Sequence, residues 1–209
     1  LMFRLNNIGL HPNTIAFSDK ASQSDIDDND DDKENPLAFA NKVWEYRPAP
    51  GQFINTTTSA YKEGFTYDDI LEEATRRIQQ KSLLTLGGFG GYIVLGFPQS
   101  IPNVEGEYDF KIKGNAYYNL KTETGKLGGS AEPGIVFVSK DVNGNGEPDD
   151  EWYELAGSEY GKDTETRGYE ITYYRPEPAN QNVSWKDNQG NEGEILRTSF
   201  HNQESYYPV

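Results

Sequence analysis

Apolar and polar positions along this 209-residue chain follow a helical period only once. Ile70, Ala74 and Ile78 recur at four-residue spacing with Leu71 beside them, so a helix over about 66–81 buries one face. Thr66 suits its N-cap, Asp68 and Asp69 oppose the dipole in the first turn, and Arg76, Arg77 and Lys81 gather near the end. Elsewhere the pattern is that of strands. Tyr108, Phe110 and Ile112 alternate with Asp109, Lys111 and Lys113, apolar in and charged out. Ile135–Val138 is a continuous apolar run that suits a central strand. Leu83–Leu86 and Tyr92–Phe97 read as two strands of a tight hairpin around Gly87-Gly88-Phe89-Gly90-Gly91. Trp152–Leu155, Tyr169–Tyr174 and Val183–Trp185 complete about eight short strands with turn signals between them. The expected fold is therefore all-β, a jelly-roll-like β-sandwich with one amphipathic helix.

The chain divides into three parts. Residues 1–18, with Phe3, Leu5, Ile8, Leu10 and then Thr14–Phe17, read as the tail of a preceding module or an edge strand. Residues 19–36 hold Asp25, Asp27, Asp28, Asp30, Asp31, Asp32 and Glu34 against Lys33, a flexible acidic linker that cannot bury enough apolar surface to fold. Residues 37–209 form the β-sandwich domain, led in by the extended, Pro-punctuated segment Val43–Phe53. The chain opens in mid-pattern at Leu1-Met2-Phe3, so any export signal is expected upstream.

Composition narrows the function classes. Aromatics reach 13% while all hydrophobic residues make up 34%, and 21 Gly and 11 Pro supply turns, which supports a β-rich reading. The net charge of -15, without any Lys/Arg cluster, argues against nucleic acid and against an anionic membrane surface as partners. There are no cysteines, which removes disulfides, thiol nucleophiles and Cys-ligated zinc. No apolar run is long enough to span a membrane as a helix. His11 and His201 are isolated, and no serine has a nucleophile-elbow context. A glycosidase needs only two carboxylates, and among 34 acidic residues a pair can always be found, so composition cannot single one out. Glu132, at a strand entrance amid small residues, is the acid to watch.

Specific chemistry is proposed only by Asp141-Val-Asn143-Gly-Asn145-Gly146-Glu147-Pro-Asp149-Asp150-Glu151-Trp152. Asp141, Asn143 and Asn145 occupy the first, third and fifth positions of a Ca²⁺-binding loop, and Gly146 takes the sharp turn. Glu147 would offer its carbonyl and Asp149 a carboxylate, while Trp152 stands where a bidentate glutamate belongs. Asp150 or Glu151 could replace that carboxylate if the loop closes differently. The flanking segments are strands, so this is not an EF-hand. Two amide ligands imply weak binding, ~10⁻⁵–10⁻³ M, and a structural role for the ion. The competing reading is a metal-free hairpin turn, since Asn-Gly is a strong turn signal and occurs twice. Ligand contact falls to aromatic side chains on sheet faces and loops: Tyr117, Tyr118, Trp152, Tyr153 and Trp185 foremost, then Tyr160, Tyr173, Tyr174, Tyr206 and Tyr207. Strand alternation sends about half of such residues to the core.

Several motifs recur in order over residues 42–209. Trp44–Asn55, Leu86–Phe97, Tyr108–Ala116, Ala131–Val136 and Asp141–Leu155 resemble PKD-domain-containing cell-surface lipoproteins of Bacteroidetes-type bacteria. The resemblance implies export, a lipid anchor carried upstream, and a C-terminal jelly-roll domain. It makes residues 1–18 the end of an immunoglobulin-like PKD module. Domains of that family run on past Tyr206-Tyr207-Pro208, so the resemblance leaves three alternatives here: a sandwich without its last strands, a proteolysed one, or one that continues in another chain. The family carries over no catalytic residue. The implied function is non-enzymatic capture of a glycan or a corrinoid such as vitamin B12 beside an outer-membrane uptake complex. Two alternatives stand: a carboxylate-dependent glycoside-active enzyme, and a structural or adhesive surface protein.

Overall fold

The computed structural model describes residues 2–7, 16–18, 39–114, 117–119, 128–130 and 133–209. The acidic linker, His11 and Glu132 lie outside them. In chain order the elements are β1 (Met2–Asn7), β2 (Ala16–Ser18), β3 (Lys42–Arg47), α1 (Tyr67–Gln79), β4 (Tyr92–Gly96), β5 (Lys111–Lys113) and β6 (Tyr117–Asn119). There follow β7 (Gly128–Ser130), β8 (Gly134–Ser139), β9 (Trp152–Glu154), β10 (Ile171–Tyr173), β11 (Val183–Asp187) and β12 (Glu192–Ile195). The molecule is thus mainly β with one helix, its strands dealt into small antiparallel sheets. Five strands pair in the order β3-β4-β1-β8-β9, three as β10-β11-β12, and two-stranded ladders join β2 to β5 and β6 to β7.

β1 departs from expectation. It pairs with β4 from Met2↔Gly96 to Asn6↔Tyr92 and with β8 from Met2↔Ser139 to Asn7↔Gly134. Both of its edges therefore carry ladders, which makes it an interior strand of the main sheet and not an edge strand. Its partners lie far along the chain, where local periodicity has no view of them.

The helix forms as its sequence requires. Thr66 Oγ1 accepts the Asp69 N–H (3.2 Å), and Asp69 Oδ2 accepts the Thr66 N–H (2.8 Å), a reciprocal cap; the Thr66 hydroxyl, which donates to Asp69 Oδ2 (2.6 Å), and then that N–H hold the Asp69 carboxyl below its ordinary range. Gln80 is the C-cap, and Lys81 beyond it adopts a left-handed φ of 55°, so the helix stops short of 81. Ile70, Ala74 and Ile78 are buried with Val43, Tyr46, Leu84, Leu86, Ile93 and Leu95 in one core. Glu73 is covered by Lys62 (3.2 Å), Arg76 (2.8 Å) and Arg77 (3.0 Å); the Arg76 hydrogen bond is the main reason its carboxyl falls to about 2. α1 also shields β3, which is a sheet edge. The Val43 N–H donates to Thr75 Oγ1 (3.0 Å), the Tyr46 N–H to Tyr67 Oη (3.3 Å), and Gln79 Nε2 to the Asn41 carbonyl (2.8 Å). Backbone groups that would invite another strand are thereby satisfied.

The hairpin expected around Gly87–Gly91 does not form. Leu83–Leu86 is not a strand; Leu84 and Leu86 are buried, and the Thr85 N–H donates to the Thr58 carbonyl (2.9 Å). The glycines instead allow two stretches of backbone to touch. Ala49 N–H donates to Leu86 O (2.9 Å) and Gly88 N–H to Pro50 O (3.0 Å). A Cβ at Gly87 would fall 1.8 Å from Ala49 O, and one at Gly91 would fall 1.8 Å from Leu86 O.

The three-stranded sheet docks on this segment through Tyr173, whose Oη donates to Phe89 O (3.0 Å), and through Tyr169, whose ring meets Phe89 edge-on at 4.8 Å. β12 was not foreseen. Its Glu-Gly-Glu-Ile has Ile195 as its one β-branched residue and no aromatic, and Trp185 covers Gly193 opposite it. Residues 203–209 then run back over the turn at 51–55. Gly51 N–H donates to Tyr206 O (2.9 Å), Gln203 Nε2 to Gln52 O (2.6 Å), and Asn55 Nδ2 to Tyr207 O (2.7 Å). Among the described residues no helix is long and apolar enough to cross a membrane.

Candidate functional site

The loop 140–151 links β8 to β9 at one edge of the main sheet. Its shape is built from short-range side-chain hydrogen bonds of the kind Asp and Asn make to backbone two to five residues on. Asp141 Oδ1 accepts the Gly144 N–H (2.7 Å) and Oδ2 the Gly146 N–H (3.0 Å). Asn143 Oδ1 accepts the Asn145 N–H (2.9 Å), and Asn145 Oδ1 the Glu147 N–H (2.8 Å). Gly144 and Gly146 sit at φ of 75° and 76°, which only glycine adopts without strain. Three further contacts close the ring. Asn143 Nδ2 and Asn145 Nδ2 donate to the two oxygens of Asp149 (3.2 and 3.0 Å), and Asp150 Oδ2 accepts the Val142 N–H (3.0 Å).

The sequence-predicted metal residues therefore do come together. Asp141, Asn143, Asn145 and Asp149 share one hydrogen-bonded ring, and Asp150 ties its start to its end. Glu147 contributes its backbone N–H. Among the described residues no three His, Asp or Glu side chains are placed to hold a metal ion, so a cation in this loop must draw on the asparagine oxygens as well as on carboxylates. Each amide oxygen accepts one N–H and keeps a second lone pair, as does each Asp141 oxygen, so the donor set fits a hard cation. Asp149 is the contested ligand, because a cation would compete there with the two amide groups.

Among the described residues the aromatic side chains are not gathered on one platform. Trp152 and Tyr153 are neighbours in β9, so they face opposite ways, and Trp185 belongs to β11 in another sheet. Tyr153 is 56% exposed; its Oη donates to Glu151 (2.6 Å), whose carboxylate raises the phenol pKa. Trp185 is occupied in covering Gly193. Tyr117 and Tyr118 lie in β6, paired with β7, and their side chains are outside the described set. Tyr206 and Tyr173 turn out to be structural. Tyr206 is buried and ties Thr198 to His201, accepting from one (3.2 Å) and donating to the other (2.8 Å). Tyr173 is spent on Phe89, and burial pushes its phenol pKa up. Tyr160 stacks under Arg167 (4.9 Å) and Tyr207 under Arg175 (4.5 Å). Tyr174 is 47% exposed. His201 packs edge-on against Phe53 at 4.6 Å, a packing role.

One cleft was missed from the sequence. An open groove of about 650 Å³ runs between α1 and β3, lined by Asn41, Trp44, Asp68, Leu71, Glu72 and Gln79 among others. The Trp44 indole lies against Gly96, and Lys42 Nζ sits 3.2 Å over its ring. The Lys42/Trp44 spacing on a strand was a readable signal for that pair; the helix that makes the second wall was not. No protein-family model matches the chain, and no curated protein is significantly similar to it.

Proposed function

We infer that the chain is a non-enzymatic, exported binding module whose 140–151 loop takes Ca²⁺ as a structural staple. The observation that carries this reading is the inward set of oxygens at Asp141, Asn143, Asn145 and Asp149, spaced along the chain as in calcium loops. Bound there, the ion would neutralise Asp141 and Asp149 and secure the β8–β9 connection. A weak site of this kind suits a surface where millimolar calcium is constant. The resemblance to PKD-containing surface lipoproteins supports the same setting, and it supports a jelly-roll relationship for the small antiparallel sheets. Ligand capture, of a glycan or a corrinoid, falls to the groove beside Trp44. Trp44 and Leu71 supply apolar area there, with Asp68, Glu72 and Asn41 to orient polar groups.

A thermal-shift titration tests both parts. Calcium added to chelated protein raises Tm, with half-effect at ~10⁻⁵–10⁻³ M, and Asp141→Ala abolishes the rise. A panel of glycans and cobalamin then gives a second shift that Trp44→Ala removes. No calcium shift up to millimolar concentrations ends the staple reading, and no ligand shift ends capture.

A further inference from the structure

The sequence contains two Asn-Gly pairs, and both lie in the exposed loop: Asn143-Gly144 and Asn145-Gly146. Such pairs carry their own chemistry. The glycine nitrogen attacks Cγ of the preceding asparagine, unhindered by any Cβ. A C–N bond forms, and the side-chain nitrogen departs as ammonia with the proton that the glycine nitrogen gives up. Water then opens the five-membered imide to aspartate or isoaspartate. Nothing is required besides water and a freely turning backbone.

The loop denies both reactants that freedom. The N–H of Gly144 points at Asp141 Oδ1 (2.7 Å) and that of Gly146 at Oδ2 (3.0 Å). The in-plane lone pair that appears when either proton leaves therefore faces Asp141 and not the Cγ to be attacked. The electrophiles are held as well. Each Oδ1 accepts a backbone N–H two residues on (2.9 and 2.8 Å), and each Nδ2 donates to Asp149 (3.2 and 3.0 Å). One carboxylate thus restrains both nucleophiles, and a second restrains both leaving groups.

We propose that Asn143-Gly144 and Asn145-Gly146 are latent sites of succinimide-mediated deamidation, kept latent in the folded hairpin by Asp141. Conversion of either asparagine replaces a donor to Asp149 with a carboxylate. Like charges then meet where a hydrogen bond stood, and the metal-free loop opens. The proposal is independent of calcium binding.

The test incubates the full chain at mildly alkaline pH in chelating buffer and follows aspartate and isoaspartate at positions 143 and 145. Peptide mass spectrometry and enzymatic isoaspartate methylation provide the readouts. In the folded protein both sites react about tenfold or more slowly than in the same chain unfolded in urea, because each attack must first break a charge-assisted hydrogen bond. Asp141→Ala raises both rates toward the unfolded value, while Glu151→Gln, in the same connection, leaves them unchanged. Asp141→Asn keeps one carbonyl-type acceptor of the two, so it accelerates at least one site and provides a milder variant should the alanine disturb folding. Equal rates in folded and unfolded chains overturn the proposal, as does Asp141→Ala or Asp141→Asn without acceleration at either site.

Discussion

The segments 86–91 and 140–151 are both glycine-bearing connections beside a strand of the main sheet, yet they are held in opposite ways. In 86–91 two glycines are buried against backbone: Gly87 and Gly91 leave no room for a Cβ because the backbone at Ala49 and Leu86 passes within contact distance. The segment's partners are remote, Ala49 and Pro50 on one side and Tyr173 on the other. In 140–151 a Cβ at Gly144 or Gly146 would meet nothing within 4 Å, and the backbone N–H groups of the turn are held by side chains of the loop itself. One connection is shaped by what packs on it and the other by its own Asp and Asn. The first is therefore part of the domain's stability, and the second is free to exchange partners, with a cation or with its own chemistry.

The contrast breaks most visibly at Gly87. Gly87→Ala places a methyl 1.8 Å from Ala49 O at a φ of +74°, so urea unfolding should show a loss of about 3–5 kcal/mol. A loss under about 1 kcal/mol would mean that the close approach is not maintained in solution.

Acid sharpens the comparison on the packed side, since α1 covers the same core and is tied down by Glu73. The Glu73 carboxyl lies at about 2, below its unfolded value. Its contribution is thus complete above the ordinary carboxylate range and is lost as pH falls through about 2. With Lys62 and Arg76 half exposed, that contribution is about 1–2 kcal/mol. Between about pH 5 and 2, wild type should lose that much more stability than Glu73→Gln, and parallel curves would show that the cluster does not hold.

The smallest effect belongs to the loop. Gly144→Ala meets no atom and only strains a φ of +75°, costing about 1 kcal/mol in the same urea assay. A loss as large as that of Gly87→Ala would erase the distinction between the two connections.

Local order was legible wherever its causes are local. Thr66 and Asp69 close the helix start three residues apart, and Ile70, Ala74 and Ile78 mark its buried face. Asp141, Asn143 and Asn145 announce a tight ring within five residues, and the ring is there. β8 was readable as an interior strand from its unbroken apolar run. Misreadings cluster where the cause is distant. Leu83–Leu86 has strand composition, but Thr58 and Ala49 claim its backbone. Met2–Asn7 looks peripheral until β4 and β8 are found on either side of it. Tyr173, Tyr206 and Trp185 have the look of ligand platforms, and packing claims all three.

By itself, then, the sequence determined the elements whose hydrogen bonds and periodicity close within a few residues: the capped helix, most strands, and the Asp/Asn loop with its candidate oxygens. Tertiary structure alone decided which strands became neighbours, that Gly87 and Gly91 serve close backbone contact with no β-hairpin around them, and that α1 and β3 enclose a groove at Trp44. The physical reason is range. A cap or an Asx turn is settled by atoms already joined by a few bonds, whereas sheet order and close packing depend on segments that meet only when the whole chain folds.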